Sequence, residues 1–338
     1  GSGVLVCAVI ERLIEEKRPL IISITAYETD KELCDISREI LGIVSKKAET
    51  NGISINWQIC QEDFVLACLP DDQQPLFTSN EAKQKIFTHI ISNPPYFKLN
   101  VNDKRVKAVY GKLNGHTNIY TLFMALSAKL LAPQGKASFI VPRSFCSGAY
   151  FSEFRRDLLK NVTPRSVHLF QARDNLFKGD EVLQENVIFS FEKLSQPQKY
   201  RYWAGYVNIS SSKDEKNFEQ SILSRQVSFK NFLSDHDGLL FFRLPTGILD
   251  EQILEAVDKW DGSLDKYGFQ VSTGRVVPFR AKELLKEQVK AGNGTVPLLW
   301  MQNVKPYQVE YPLEKLGKPQ AISLNDLSLL VPKGNYVL

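Results

Sequence analysis

Apolar runs and helical patterns alternate along the first 195 residues of the chain. Residues 19–25 (PLIISIT) form an apolar run rich in β-branched side chains, which predicts a buried strand. Over residues 30–44 the apolar side chains recur every three or four positions, which predicts a helix. Strands that alternate with helices favour an α/β fold in which helices cover both faces of a parallel sheet. The same patterns predict further strands at residues 53–60, 87–92, 136–141 and 187–191, and further helices at residues 4–17, 118–131 and 152–160.

The pattern changes after residue 193. Residues 195–199 and 210–216 are polar and typical of linkers, and only short strands are predicted beyond them, at residues 239–244 and 300–307. We therefore expect a first domain over residues 1–195, a connecting region over residues 196–262 and a second, α+β domain that begins at residue 263.

Composition narrows the class of protein. With 338 residues, 43% hydrophobic and 24% charged, the chain is ordinary for a globular protein of two domains. It contains no run of about 18 apolar residues and no secretory leader, so we expect a cytoplasmic protein. Its five cysteines form no CxxC pair and it has only four histidines, so no metal site is expected.

The excess of basic over acidic residues lies entirely in the C-terminal region, residues 263–338. Residues 263–338 contain 10 Lys and Arg against 6 Asp and Glu, whereas the first 262 residues contain 32 of each. Such a surplus is typical of a surface that meets a polyanion, although a solvated protein surface gives the same composition.

The chemistry of the chain is concentrated in Asn93-Pro94-Pro95-Tyr96, directly after the strand predicted at residues 87–92. Two successive prolines impose a rigid, extended turn. Such a turn holds a side-chain carbonyl and a backbone carbonyl at fixed spacing, and both are able to accept hydrogen bonds from one amino group. Tyr96 adds a flat face on which a planar base can stack.

With this tetrapeptide the chain resembles the S-adenosylmethionine-dependent DNA adenine-N6 methyltransferases, the γ-type amino-methyltransferases of restriction-modification systems. Asn rather than Ser at the first position leans toward adenine. The resemblance implies a Rossmann-like methyltransferase sheet over residues 1–195 and a target-recognition domain that begins at residue 263. It also implies double-stranded DNA as substrate, a target base flipped out of the duplex, and a restriction nuclease as a separate or fused partner.

The resemblance assigns the methyl donor to residues at strand ends. Gly1 and Gly3 match the end of a glycine loop that passes beneath S-adenosylmethionine, where only glycine lets the backbone approach closely. Glu28, after the strand at residues 19–25, is expected at the ribose hydroxyls. Asp63 and Phe64, after the strand at residues 53–60, are expected at the adenine of the donor, with a surface or capping role for either acid as the alternative.

On the target side, the resemblance places Asn93 and the Pro94 carbonyl at the amino group of the flipped adenine. Tyr96 and Phe191 would then lie on opposite faces of the base. Core packing is an equal alternative for Phe191, because it lies in an apolar strand.

Contacts with DNA are expected from polar side chains at three places. Arg143 follows the strand that ends near Pro142, and Arg275, Arg280, Gln302 and Asn303 lie in the basic C-terminal region. Ordinary surface chemistry is the alternative for each of them. Residues 98–117, polar and basic, are expected to form a loop that closes over substrate or touches phosphates.

Three alternatives remain beside a DNA adenine methyltransferase. A glutamine-N5 protein methyltransferase uses the same tetrapeptide, because a glutamine amide is also planar, and an RNA adenine methyltransferase would need the same geometry. The third is a DNA-binding fragment without activity. Because the first residues match only the end of a glycine loop and the last residues resemble a strand cut short, we expect a chain truncated at both ends.

Overall fold

The computed structural model describes residues 1–68, 86–100, 102–110, 117–170, 185–196, 204–212, 223–236, 238–262, 264–271, 274–289, 294–314, 316–332 and 334. The chain divides into two compact units, Gly1–Lys259 and Trp260–Leu338. No helix in the described ranges is both long and apolar enough to cross a membrane. In the segment predicted as a loop, residues 98–117, residue 101 and residues 111–116 lie outside the described residues, and Lys104–Tyr110 form a helix instead.

The first unit begins with two parallel strands and the helices that pack beside them. The Asp30 side chain accepts a hydrogen bond from the Leu33 amide and so caps a helix, as its position predicts. Strands β1 and β2 pair in parallel along their whole length, from Leu20 opposite Ile53 to Tyr27 opposite Cys60. The elements of this segment are α1 (Val4–Glu15), β1 (Leu20–Tyr27), α2 (Lys31–Glu49), β2 (Ile53–Cys60) and α3 (Phe64–Ala67).

The remainder of the first unit contains the central sheet and its helices. Helix α5 contributes most of its side chains to the core, in agreement with its apolar sequence. The strands are β3 (Phe87–Ser92), β4 (Lys98–Leu99), β5 (Thr117–Asn118), β6 (Leu131–Pro142), β7 (Val162–Phe170), β8 (Asn186–Lys193), β9 (Tyr206–Ser212), β10 (Leu223–Ser228), β11 (Leu233–His236) and β12 (Leu239–Phe242). The helices are α4 (Lys104–Tyr110), α5 (Ile119–Leu130), α6 (Ser144–Ser147), α7 (Ser152–Asn161), α8 (Phe229–Phe232) and α9 (Ile248–Val257).

The central sheet has six strands in the order β10-β9-β7-β8-β6-β3. Strands β3 and β6 are parallel, as are β7 and β9, but β8 runs antiparallel to both β6 and β7. The α/β class is therefore confirmed, whereas the expectation of a parallel sheet is corrected to a mixed one. An apolar strand buried on both faces has the same composition in either direction, so its sequence pattern does not record its polarity.

Each of β1 and β3 pairs with a single strand among the described residues. Strand β1 bonds to β2, and β3 bonds to β6, so that both keep one edge without a strand partner there. Two apolar side chains on these strands are exposed, Ile21 at 81% and Ile91 at 43%. Natural proteins usually cover or protect a strand edge of this kind, because its free backbone groups can pair with another chain.

The region predicted as a connection contributes strands instead. Residues 206–212 and 223–228 form β9 and β10 and extend the central sheet beyond β7. Their alternating burial places Val207, Ile209 and Val227 in the main core. The compact unit consequently continues to Lys259.

The second unit consists of short elements. A three-stranded antiparallel sheet has β17 (Ala321–Ser323) between β13 (Leu285–Lys286) and β14 (Thr295–Pro297), and β15 (Val304–Lys305) pairs with β16 (Gln308–Val309). The helices among its described residues are single 3-10 turns, at Asp265–Tyr267, Lys282–Leu284, Met301–Asn303 and Leu327–Leu329. Residues 300–307, predicted as one strand, thus contain a turn and a two-residue strand.

Candidate active site

The Asn93-Pro94-Pro95-Tyr96 turn lies where two parallel strands end side by side. Ser92, the last residue of β3, is in register with Phe139 of β6, and β6 ends three residues later at Pro142. Asn93 is exposed, whereas the Pro94 side chain is buried beneath it. None of the described residues donates a hydrogen bond to the Pro94 carbonyl. The turn therefore presents two adjacent carbonyl oxygens at the carboxyl edge of the sheet, which is where α/β proteins bind their ligands.

The Tyr96 hydroxyl lies between two acceptors. It is 2.7 Å from Asn93 Oδ1 and 2.8 Å from the Ile140 carbonyl of β6. A phenol has one proton and donates it to one acceptor at a time. When that proton points to Ile140, Asn93 Oδ1 is available to another donor. Burial raises the pKa of Tyr96 to about 12, so the hydroxyl keeps its proton at neutral pH.

Tyr96 is supported from α5 by a second tyrosine. The Tyr120 ring is fully buried and meets the Tyr96 ring edge to face, with ring centroids 6.2 Å apart. The Tyr120 hydroxyl lies 3.5 Å from Ser144 Oγ, at the start of α6. This contact ties the motif turn to the loop that follows β6, and it fixes the plane in which the Tyr96 ring can offer a face to a base.

Carboxylates at the ends of β1 and β2 form the second part of the site. The Glu28 carboxylate accepts hydrogen bonds from the amides of Thr29 (2.7 Å) and Asp30 (2.9 Å) and also pairs with the N-terminal ammonium. The Glu28 amide in turn donates to the Cys60 carbonyl at 3.1 Å, which joins the two strand ends. Strand pairing therefore brings the predicted ribose residue next to the loop that contains Asp63.

Asp63 has the capping role that the sequence left open as an alternative. Its Oδ1 accepts from the amides of Val65 (2.9 Å) and Leu66 (3.2 Å), at the start of α3. Its Oδ2 accepts from Arg105 Nη1 at 3.3 Å. A carboxylate offers about four lone-pair sites, so Asp63 caps the helix and retains capacity for one further donor.

Phe64 lies in an aromatic group between the two parts of the site. Its ring centroid is 5.5 Å from that of Tyr27 on β1 and 4.9 Å from that of Phe123 on α5. The three rings are partly buried and pack on the main core. They provide a flat apolar surface beside the Glu28 and Asp63 carboxylates.

One of the two glycines at the start of the chain has a positive φ. Gly3 precedes α1 with φ of 82°, a left-handed backbone that favours glycine. Ser37 Oγ donates to the Gly1 carbonyl at 3.0 Å and holds this segment against α2. The turn at Gly3 lies in the same unit as β1, whose end contains Glu28.

Phe191 lies in the core rather than beside Tyr96. Its side chain is fully buried, and its ring stacks on Phe139 with centroids 5.6 Å apart and planes 17° apart. Phe191 is in register with Ala137, in the middle of β6, whereas the motif turn lies near the end of β6. This placement favours the core interpretation and provides no exposed aromatic face for a base.

The predicted DNA contacts have mixed placements. Arg143 is exposed and pairs with Glu185 at 3.1 Å, next to the motif turn at the end of β6. In the second unit Gln302 is exposed, whereas Asn303 is buried and bonds at both ends of its amide, to Trp300 N and the Glu310 carbonyl. Asn303 therefore stabilises its own loop, and its amide is not available to a base edge.

The two arginines of the second unit are both exposed. Arg275 Nη1 donates to the Ser328 carbonyl at 3.3 Å, and the Arg280 guanidinium lies 5.5 Å from the Phe279 ring centroid. Both guanidinium groups remain accessible to a polyanion.

Four side chains of the site were not singled out from the sequence: Tyr27, Arg105, Tyr120 and Phe123. The three aromatic residues have the same pattern as ordinary core positions, so no local signal distinguishes them. Arg105 occurs in the basic segment that was expected to touch substrate, and its spacing from Asp103 would have indicated a local ion pair.

Comparison with known proteins gives one family and a set of relatives. Residues 16–177 match the model of the Eco57I restriction-modification methylase family. The chain is 35% identical over 344 residues to the Type II methyltransferase M.BsuBI of Bacillus subtilis, covering 100% of this chain and 64% of that protein. It is 32% identical to the Type II methyltransferase M.PstI of Providencia stuartii, covering 94% of this chain and 60% of that protein. The chain thus spans less than two thirds of the length of either relative.

Among solved structures, the type IIG restriction endonuclease BpuSI is similar at a TM-score of 0.43 and 16% identity, over 68% of this chain and 30% of that one.

Proposed function

We propose that the protein is a site-specific DNA adenine-N6 methyltransferase, because residues 16–177 match the model of the Eco57I restriction-modification methylase family. Two observations support the substrate and the reaction. The motif turn offers two carbonyl acceptors to one amino group, and the relatives at 35% and 32% identity are Type II methyltransferases. From the DNA substrate we infer a cytoplasmic location, and from the match to a restriction-modification methylase family we infer a partner nuclease, fused or separate.

The observation on which the proposal rests is the pair of oxygens at Asn93 Oδ1 and the Pro94 carbonyl. An exocyclic amino group that donates both hydrogens to these acceptors keeps its lone pair out of conjugation with the ring and directed away from the turn. The base must leave the duplex to reach the turn, at a cost of a few kcal/mol. Tyr96, whose ring is held by Tyr120, offsets this cost by stacking on the base.

The residues at the ends of β1 and β2 fit S-adenosylmethionine as the methyl donor. In this proposal Glu28 accepts from the ribose hydroxyls, Asp63 accepts from the adenine amino group, and the Phe64 ring packs against the adenine; their positions after β1 and β2 support these roles. Gly3 holds the backbone turn beside them. When bound, the donor supplies a methyl group on a positively charged sulfur.

The turn and the strand ends then act by positioning. The amino nitrogen forms a bond to the methyl carbon as the sulfur–carbon bond breaks, and the nitrogen afterwards loses a proton to solvent. Because the nitrogen lone pair is already oriented by Asn93 and Pro94, no strong base is needed in the turn. Orientation of this kind removes most of the entropic part of a barrier.

The substrate is tested by incubating the protein with labelled S-adenosylmethionine and, separately, duplex DNA of mixed sequence, structured RNA and a glutamine-rich protein. We expect label in DNA, and nuclease digestion followed by mass spectrometry should identify N6-methyladenine. Label in N4-methylcytosine would support methylation of an exocyclic amino group in DNA but would show that the target base is cytosine and not adenine. Label in RNA or in protein without any in DNA would overturn the proposal.

A further inference from the structure

The Arg105 guanidinium joins the two parts of the site. Its Nε and Nη2 donate to Oδ1 and Oδ2 of Asp103 at 2.9 Å and 2.7 Å, and its Nη1 donates to Asp63 Oδ2 at 3.3 Å. The guanidinium carbon lies 5.8 Å from the centroid of the Phe97 ring. One side chain therefore touches the loop after β2 and the residue that follows Tyr96.

On the donor side, Arg105 determines where Asp63 Oδ2 points. The other oxygen, Oδ1, is held by two helix amides. The ion pair is largely sheltered from solvent, with exposures of 20% for the Arg105 side chain and 25% for that of Asp63. Sheltered pairs are screened by salt much less than surface pairs, so the orientation imposed by Arg105 persists at physiological ionic strength.

On the target side, Arg105 reaches Phe97 from a rigid base. Val106 and Val109 are fully buried and anchor α4 in the main core. The Phe97 carbonyl accepts a hydrogen bond from the Ile119 amide at 3.0 Å, at the start of α5. The segment after the motif is thereby held between α5 and the Arg105 guanidinium.

Asp103 holds the Arg105 guanidinium through two hydrogen bonds. The hydrogen bonds from Arg105 lower the pKa of Asp103, and Asp103 in turn raises the pKa of Arg105. The planar guanidinium bonds to both oxygens of Asp103 and still has an N–H group for Asp63, which a lysine ammonium does not match.

We propose that Arg105 is a positioning residue that couples the donor site to the turn that receives the target base. This inference rests on the proposed function. When the adenine amino group of S-adenosylmethionine donates a hydrogen bond to Asp63 Oδ2, it displaces water from the Asp63–Arg105 ion pair. The ion pair is then stronger, because its surroundings are less polar. The stronger ion pair restrains α4 and Phe97. The motif turn that precedes Phe97 is therefore already ordered when the target base binds.

Hydrogen exchange measured by mass spectrometry on the whole chain, with and without the donor analogue sinefungin, tests the coupling without any DNA. In the unmodified protein, sinefungin should slow exchange in residues 97–110 by about tenfold, within the range usual for allosteric coupling. In Arg105→Gln the slowing over that segment should fall below about twofold, while sinefungin still protects residues 28–33. Arg105→Lys, which keeps the charge, should give an intermediate value.

Arg165→Gln is the matched control, because Arg165 forms a comparable ion pair with Glu192 at 3.1 Å on β7 and β8. It should behave as the unmodified protein does. Exchange in β6 reports on the fold itself and should be the same in all variants; if Arg105→Gln alters it, the comparison is made with Arg105→Lys.

Two results would overturn the inference in different ways. Sinefungin binding with undiminished protection of residues 97–110 in both Arg105 variants would remove the coupling and leave the proposed function intact. If calorimetry shows that the unmodified protein does not bind sinefungin or S-adenosylmethionine, the donor site fails, and the coupling fails with it.

Discussion

The motif turn and the donor-side loops both follow the carboxyl ends of strands, yet their acceptor atoms are engaged differently. In the turn, Asn93 Oδ1 shares a single proton of Tyr96 with the Ile140 carbonyl. In the loops, Glu28 and Asp63 accept hydrogen bonds from two backbone amides each. The turn can release its acceptor without breaking any backbone hydrogen bond, whereas the loops cannot.

Under the proposed function, this difference separates the two tasks of the site. When Asn93 Oδ1 turns to another donor, the partly buried Tyr96 hydroxyl keeps a hydrogen bond to the Ile140 carbonyl and so avoids the cost of an unpaired polar group, about 1–3 kcal/mol. A group that holds a donor molecule in one place benefits from fixed partners. Substitutions in the turn should therefore change turnover, and substitutions in the loops should change affinity for the donor.

The largest effect is expected from Asn93→Ala. Loss of one of the two acceptors should lower turnover by about a thousandfold, the upper range for a preorganised polar group at a reacting centre. Donor affinity, measured by calorimetry, should stay the same, since Glu28 and Asp63 are untouched. Asn102→Ala, an exposed asparagine in the segment after the motif, is the control. Normal turnover in Asn93→Ala would show that the motif turn does not bind the target amino group.

Asp63→Ala should act on the donor instead. Loss of a hydrogen bond to a charged group should weaken donor binding, measured by calorimetry, by about ten- to a hundredfold. Asp30→Ala is the matched control, because Asp30 also caps a helix. Each variant should lose about 1 kcal/mol of unfolding free energy from its cap. Equal donor affinities in the two variants would show that Asp63 is only a cap.

Tyr96→Phe is expected to have a smaller effect. The ring remains for stacking, so kcat/KM should change by less than about tenfold, and loss of the hydroxyl should cost about 1 kcal/mol of unfolding free energy. The raised pKa of Tyr96 predicts a pH dependence: the contribution of the neutral phenol is complete below about pH 10, the unfolded value, and is lost as the pH rises to about 12. Thermal unfolding between these pH values should show it, with the exposed Tyr206→Phe as control.

The smallest effect is expected from Phe191→Leu. Replacing a buried ring by a smaller apolar side chain should cost about 1–2 kcal/mol of unfolding free energy and leave affinity for target DNA unchanged. Tyr96→Leu should weaken DNA binding by about fivefold or more, because it removes a stacking face. Fluorescence anisotropy with both variants distinguishes a core residue from a base contact. If both variants lost DNA affinity to a similar extent, Phe191 would be a base contact and not only a core residue.

The sequence predicted the elements that have strong local boundaries. Strands β2 and β3 were predicted to the residue, because Gly52 precedes the first and Asn93-Pro94 follows the second. Strand β7 was not predicted, since Pro164, Arg165 and Ser166 interrupt its apolar pattern. Strand β9 is rich in serine, and its outer residues were taken for a linker. Its place in the sheet depends on pairing with β7, a non-local interaction that a local pattern does not record.

The site was predictable where the chemistry is contiguous. The motif turn and the acids after β1 and β2 are recognised from a few neighbouring residues each. Arg105 lies 42 residues from Asp63, so its role appears only once α3 and α4 are in contact. Phe191 illustrates the reverse case, because an aromatic residue in a strand has the same local pattern whether it packs in the core or faces a ligand.

The strand edges of β1 and β3 have a practical consequence for handling the protein. Within the described part of the chain, one edge of each of these strands has no strand partner, and such an edge, beside exposed Ile21 and Ile91, is a template for pairing with another molecule. We therefore expect the chain to associate reversibly as its concentration rises, and light scattering over a dilution series should detect this. Polar substitution at Ile21 should shift the association to higher concentration, which offers a route to samples suited to crystallisation.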